Sequence, residues 1–185
     1  MTVKEILKLA IIFLGYDEIL DTNIFDGETQ PSEDNEKLIS VLERCLNLTI
    51  EEIATDYIPI IKTKEVIFKN GKVALNEINE NLIEVISVKR NGNVEFYEDN
   101  EFLYANIDRA DVIFRKYPEK LKITDDCDEF LRKLPARVIA YGVAMEYSFI
   151  TTLSDEATIW EKRYKDGLLV LSRKNSERKL PRWRW

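Results

Sequence analysis

The chain has 185 residues, 45% of them hydrophobic, with five prolines, six scattered glycines and a net charge of −7. This composition describes about one domain with a real core, and excludes a low-complexity linker, a solenoid of 20–50-residue repeats and a disordered chain. Charge is uneven: residues 161–185 hold nine basic and three acidic side chains and the remainder hold 18 and 31, so an acidic body argues against a general nucleic-acid binder.

The N-terminal run Ile6-Leu7-Lys8-Leu9-Ala10-Ile11-Ile12-Phe13-Leu14 is broken by Lys8 and followed by no small-residue cleavage site. It fails as a signal peptide and falls well short of the ~20 apolar residues of a membrane span, so a soluble intracellular protein without membrane contact is expected. Thr2 with Glu5 forms a capping box and predicts a helix over 3–14, ended by Gly15. Residues 16–31 read as a loop. Ser32 is placed to cap a second helix with Glu33, Asp34 and Glu36 in its first turn and Leu38, Val41, Leu42, Cys45 and Leu46 on one face. Thr49 with Glu52 predicts a separate short helix up to Tyr57, stopped by Pro59.

The period then changes. Asn70-Gly71 and Asn91-Gly92 each separate two apolar runs, the strongest short hairpin signal, because both turn residues take positive φ. Asp99-Asn100 and Asp108-Arg109 mark further turns before a strand over 110–117, so residues 60–122 are expected to form an antiparallel β meander. Helices return at Asp125 or Asp126, with Pro135 interrupting or restarting them. The stretch 136–153 is apolar nearly all round and reads as a buried helix. Ser154 is expected to cap a last helix, on which Ala157, Trp160, Tyr164, Leu168 and Leu171 make one stripe. The fold class is therefore α+β. Residues 1–59 and 123–175 are expected to form a helical bundle, residues 60–122 an inserted β lobe, and residues 176–185 a basic aromatic arm.

Chemistry is sparse. The absence of histidine removes Ser-His and Cys-His nucleophiles and most zinc sites. Cys45 and Cys127 read as small buried hydrophobes in a reducing compartment, although spacing alone leaves a disulfide open. No glycine-rich phosphate loop occurs. The acidic run Asp125-Asp126-Cys127-Asp128-Glu129 lacks the alternation and central glycine of an EF-hand loop and suits a helix start. No enzyme, cofactor or metal site is expected.

Interaction features are richer. Trp160 and Tyr164 share the leucine stripe and belong in the core or at a subunit interface. Pro181 stops any helix before Arg182, Trp183, Arg184 and Trp185, whose tryptophans have no apolar partner of their own nearby. Such residues fold back on their own domain, dock on a neighbour, or stack on single-stranded nucleic acid.

One helix carries Ala136, Arg137, Ile139, Tyr141, Gly142, Ala144, Glu146 and Tyr147, and the next carries Ala157, Trp160, Arg163 and Tyr164, before the Arg/Trp tail. Over these ~60 residues the chain resembles bacteriophage and prophage head–tail connector (adaptor) proteins. The resemblance implies a ring, commonly of twelve copies, beneath the portal at the capsid vertex, continuing the DNA channel and offering the platform on which the tail docks. Its implied partners are the portal, tail or stopper proteins, other copies of itself and passing double-stranded DNA. Its implied location is the capsid–tail junction of the virion, with the host cytoplasm during assembly. Carried over by position, Arg182, Trp183, Arg184 and Trp185 would form a docking arm supported by Arg178 and Lys179. An acidic channel wall would let DNA slide, since attraction to phosphate is mainly cationic. The rival reading is a small nucleic-acid-binding or regulatory module working through the basic tail.

Overall fold

The computed structural model describes residues 1–20 and 32–177, with side chains placed to residue 171. It is a mixture of helix and antiparallel sheet, an α+β protein. The chain separates into two compact units: the described parts of Met1–Glu52 and Lys120–Trp185 make one, and Ile53–Glu119 makes the other.

In the first unit α1 (Val3–Phe13) starts on the expected capping box. The Thr2 hydroxyl accepts from the Glu5 amide at 3.2 Å, and the Glu5 carboxylate accepts from the Thr2 amide at 2.9 Å. A one-turn α2 (Asp17–Leu20) follows, and α3 spans Glu33–Glu52. The expected break at Thr49 does not occur. Its hydroxyl donates back to the Cys45 carbonyl at 2.9 Å, the bond that lets a threonine sit inside a helix, so no capping box forms with Glu52. The next helix also starts later than expected: Asp128, not Asp125 or Asp126, caps the short α5 (Glu129–Arg132), accepting from the Leu131 amide at 2.9 Å. The Asp125 carboxylate instead accepts from the Lys122 amide, and the Asp125 carbonyl from the Val3 amide.

Helix α6 (Ala136–Ile150) begins after Pro135 and is buried over most of its circumference, as its nearly all-apolar sequence requires. It ends before Leu153, where Thr152 takes φ 60° in a tight turn. Helix α7 (Ser154–Glu177) follows. The Leu153 carbonyl accepts its first helical bond, from Ala157, so Ser154 lies in the first turn rather than at the cap. Helix α6 packs against α1, α3 and α7. The segment before α5 is tied to α3 by Asn47, whose amide donates to the Leu121 carbonyl at 2.9 Å and accepts from the Leu121 amide at 2.8 Å. Glu43 accepts from the Ile123 amide beside it.

The second unit opens with one π-helical turn (Ile53–Tyr57), closed by a bond from the Ile58 amide to the Ile53 carbonyl. Its strands are β1 (Ile60–Ile67), β2 (Lys72–Ala74), β3 (Leu82–Lys89), β4 (Asn93–Val94), β5 (Phe96–Glu98), β6 (Phe102–Ala105) and β7 (Arg109–Lys116), with a one-turn α4 (Leu75–Ile78) after β2. Both Asn-Gly pairs form turns, with φ 55° at each asparagine and 75° and 146° at Gly71 and Gly92. A simple meander is not what results. Two antiparallel sheets form, ordered β1-β7-β3-β4 and β2-β6-β5. Past Asn70-Gly71 the strands separate at the Lys69–Lys72 bridge, because β1 pairs along its whole length with β7 while β2 pairs with β6. Arg109, expected in a turn, therefore opens β7. Both sheets contribute to one apolar core that includes Val73, Val88, Leu103, Val112 and Phe114.

Candidate interaction site

The candidate site residues within the described part lie on α7. The arm residues Arg178, Lys179, Arg182, Trp183, Arg184 and Trp185 lie outside the described residues. On the α7 stripe Ala157, Tyr164 and Leu168 are buried, while Trp160 and Leu171 are half-buried.

Tyr164 is a core residue, 0% exposed. Its hydroxyl lies 3.1 Å from Glu52 and donates to that carboxylate, which satisfies the buried phenol. Its ring lies against Gly142 of α6, which Thr49 of α3 also touches. A Cβ at Gly142 would lie 2.4 Å from Thr49 Cγ2 and 2.9 Å from Tyr164 Cε2. Glycine is required here by close approach, since φ at Gly142 is ordinary for a helix. Gly167 serves similarly on α7: a Cβ there would come within 2.8 Å of Val138 Cγ2.

Trp160 belongs to a three-ring stack. Its ring lies 5.4 Å from Phe13 and 5.8 Å from Tyr141, and Phe13 and Tyr141 are 4.9 Å apart, all within 27° of parallel. Such pairs contribute about 0.5–1.5 kcal/mol each beyond their buried area. Two exposed arginines border the stack. Arg163 sits 5.0 Å from the Trp160 ring and 5.9 Å from Tyr141, and Arg137 sits 5.4 Å from Tyr141. The stack thus has one side in the helices and one facing solvent, with guanidinium groups at its rim. Phe13 was not singled out by the sequence, because its partners come from helices more than 120 residues away. The arginines were visible only as pattern positions.

The same unit holds several buried or half-buried titratable groups. Burial, and then the nearby Glu52 charge, raise the Glu146 carboxyl above its ordinary value. The Cys45 thiol is pushed up to about 12 by burial and then by Glu146, so it is neutral and unreactive at neutral pH. Cys127 is likewise buried with a raised pKa, desolvation being the main cause, and both thiols are free. The Tyr147 hydroxyl, its pKa raised by burial and by its 3.3 Å contact with the Tyr16 hydroxyl, ties the end of α6 to the turn between α1 and α2.

Among the described residues no group of three or more Cys, Asp or Glu side chains is placed to hold a metal ion, and no helix is long and apolar enough to cross a membrane. No protein-family model matches the chain, and no curated protein matches it. The arrangement suits binding through aromatic and guanidinium groups.

Proposed function

We propose that the protein is a structural head–tail connector (adaptor) of a bacteriophage or prophage and carries out no catalysis. In this reading the N- and C-terminal helices form a bundle into which the β residues are inserted. Copies form a ring below the portal that extends the DNA channel and receives the tail or a stopper protein. Double-stranded DNA passes without sequence readout, and the protein resides at the capsid–tail junction after assembly in the host cytoplasm.

The observation that carries this reading is the agreement between the resemblance and the packing of α6 and α7. Of the residues that carry the resemblance, Tyr141, Gly142, Trp160, Arg163 and Tyr164 make contacts between these helices, and Arg137 and Arg163 border the ring stack. The arm of Arg178, Lys179, Arg182, Trp183, Arg184 and Trp185 then follows α7 as the docking element. Its residue types dominate interface hot spots, commonly worth about 2 kcal/mol or more on truncation.

The test is to sequence the DNA flanking the gene and to co-express the chain with a portal protein encoded there. The full chain is expected to co-purify with the portal as a ring. A chain lacking residues 178–185 is expected to stay folded and lose portal binding. Normal portal binding by the truncated chain removes the role given to the arm. Absence of portal and tail genes nearby, with salt-dependent retention on a DNA column, supports the nucleic-acid-binding module instead.

A further inference from the structure

The face of the β2-β6-β5 sheet turned away from the apolar core carries an aromatic row, exposed at Tyr97 and half-buried at Tyr104 and Phe102. Strand β6 alternates: Leu103 and Ala105 are buried in the core, while Phe102 and Tyr104 point the other way. In register across the sheet, Tyr104 pairs with Lys72 on β2 and with Tyr97 on β5. Tyr97 is 66% exposed, its ring 5.8 Å from Tyr104, which is itself 6.3 Å from Phe102. Three adjacent rings on one sheet face, led by the exposed Tyr97, form an aromatic platform of the kind that marks interaction surfaces.

The charge around the platform is mostly acidic, with Lys72 the cation that the sheet itself places on it. Residues 93–106 contain Glu95, Glu98, Asp99 and Glu101 and no lysine or arginine. Glu95 lines a 480 Å³ hollow together with Tyr97 and Tyr104, and Glu101 lines a 580 Å³ hollow with Phe102. The Asp99 carboxylate accepts from the amides of Glu101 and Phe102 and from the Tyr104 hydroxyl, and these bonds hold its pKa down, so it stays ionised. A platform of rings bordered by carboxylates suits a cationic, aromatic-bearing segment, by cation–π and charge-assisted contacts together. The sheet already holds one such contact: the Lys72 ammonium lies 4.6 Å from the centre of the Phe102 ring. Phosphate-bearing ligands are disfavoured by the same carboxylates.

The chain itself supplies a segment of that chemistry. Residues 178–185 carry Arg178, Lys179, Arg182 and Arg184 with Trp183 and Trp185, and no acidic residue. We infer that the Tyr97–Tyr104–Phe102 platform of one copy receives the basic, tryptophan-bearing arm of a second copy. This rests on the connector reading only in placing two copies side by side, and it assigns the arm a receptor within the assembly.

The experiment uses a fluorescent peptide of residues 176–185. The acceptor is the full chain with Arg182, Trp183, Arg184 and Trp185 all replaced by alanine, so that its own arm does not compete. Saturable binding is expected, weakening as salt is raised. Combining Tyr97→Ala with Glu95→Lys in the acceptor is expected to weaken it about 10-fold or more, and Glu101→Lys, on the other side of the platform, is expected to weaken it as well. Both acceptors are compared at unchanged circular dichroism and Tm. If the double substitution unfolds the sheet, Glu101→Lys alone carries the comparison. No binding at millimolar acceptor, or binding indifferent to both platform changes, overturns the inference. The assay contains no portal, so its failure leaves portal co-purification intact, and failure of portal co-purification leaves the peptide result standing.

Discussion

Replacing Gly142 by alanine tests the joint of the three helices most sharply, because two opposed magnitudes meet at one atom. In an open helix the change would add about 1 kcal/mol of stability, the difference between the glycine and alanine propensities. Here the new methyl would start 2.4 Å from Thr49 Cγ2 and 2.9 Å from Tyr164 Cε2. Neither neighbour yields cheaply. Thr49 is β-branched, stiff at χ1, and held by its hydroxyl bond to Cys45, while Tyr164 is held by its bond to Glu52. Overpacking of this kind costs about 1–3 kcal/mol, and the stiffness of both neighbours puts it at the upper end. Net destabilisation of about 2 kcal/mol is expected, a fall of about 4–8 °C in Tm for a chain of this size. The assay is thermal and urea unfolding of four chains: wild type, Gly142→Ala, Thr49→Ser and the double variant. Thr49→Ser removes the clashing methyl and keeps the hydroxyl, so it should recover about 1 kcal/mol of the loss, read as a coupling energy. An alanine variant as stable as wild type, or a serine that rescues nothing, refutes the close-approach argument.

Other consequences are simpler to state. Asn47→Ala strands the amide and carbonyl of Leu121 that the asparagine pairs, so a loss of about 1–3 kcal/mol is expected in urea unfolding. Trp160→Ala takes one ring from a half-buried stack and should cost about 2 kcal/mol, while Trp160→Phe should cost less than half as much in the same measurement. Both cysteines should resist a thiol reagent at pH 8 in the native chain and both should react once it is unfolded, counted by absorbance. Glu146 has a folded-state pKa raised above its ordinary 4.5, so its contribution is full below that value and lost as pH climbs through the raised one. Glu146→Gln should therefore raise Tm relative to wild type at pH 7 and give little advantage at pH 4. A difference that does not change with pH would show that folding does not raise the pKa of this carboxyl.

Local signals in this sequence were readable where a single short-range rule decides the outcome. The Thr2–Glu5 capping box and the two Asn-Gly turns form as their residues dictate, because each needs only neighbours three or fewer positions away. The α6 helix reads correctly from its apolar circumference. Errors arose where a local rule had a competitor. Thr49-x-x-Glu52 has the capping pattern, but a threonine hydroxyl also bonds well to the carbonyl four residues back, and a helix already under way favours that bond. Three aspartates stand before α5; Asp125 is held by a local bond to Lys122 and a tertiary bond to Val3, and Asp128 makes the cap. Sheet order was hidden for a different reason. Turn residues specify that the chain reverses, but β1 chooses β7 over β2 through eight residue pairs formed over a sequence separation of about 50. The ring stack was hidden likewise, since Phe13 meets Trp160 only once α1 and α7 both lie on α6.

The alternation of β6 shows how a functional signal can be present in a sequence and still be read as structure. Phe102-Leu103-Tyr104-Ala105 looks like an ordinary strand, and its aromatic members would be taken for core on propensity alone. The register reverses that assignment. Leucine and alanine fill the interior, while the two half-buried rings join the exposed Tyr97 on the opposite face. A rule of hydrophobic burial by itself would predict smaller or more polar residues on that side. The excess of outward rings, bordered by Glu95 and Glu101, is therefore what the sheet needs for something that comes to it. The tail needs a place of opposite charge to come to. Each feature alone has a bland explanation in solubility or chance. Taken together they match in charge and in aromatic content, and a charge reversal at Glu95 matched by Arg184→Glu in the peptide should restore part of the lost affinity, a recovery that neither bland explanation produces.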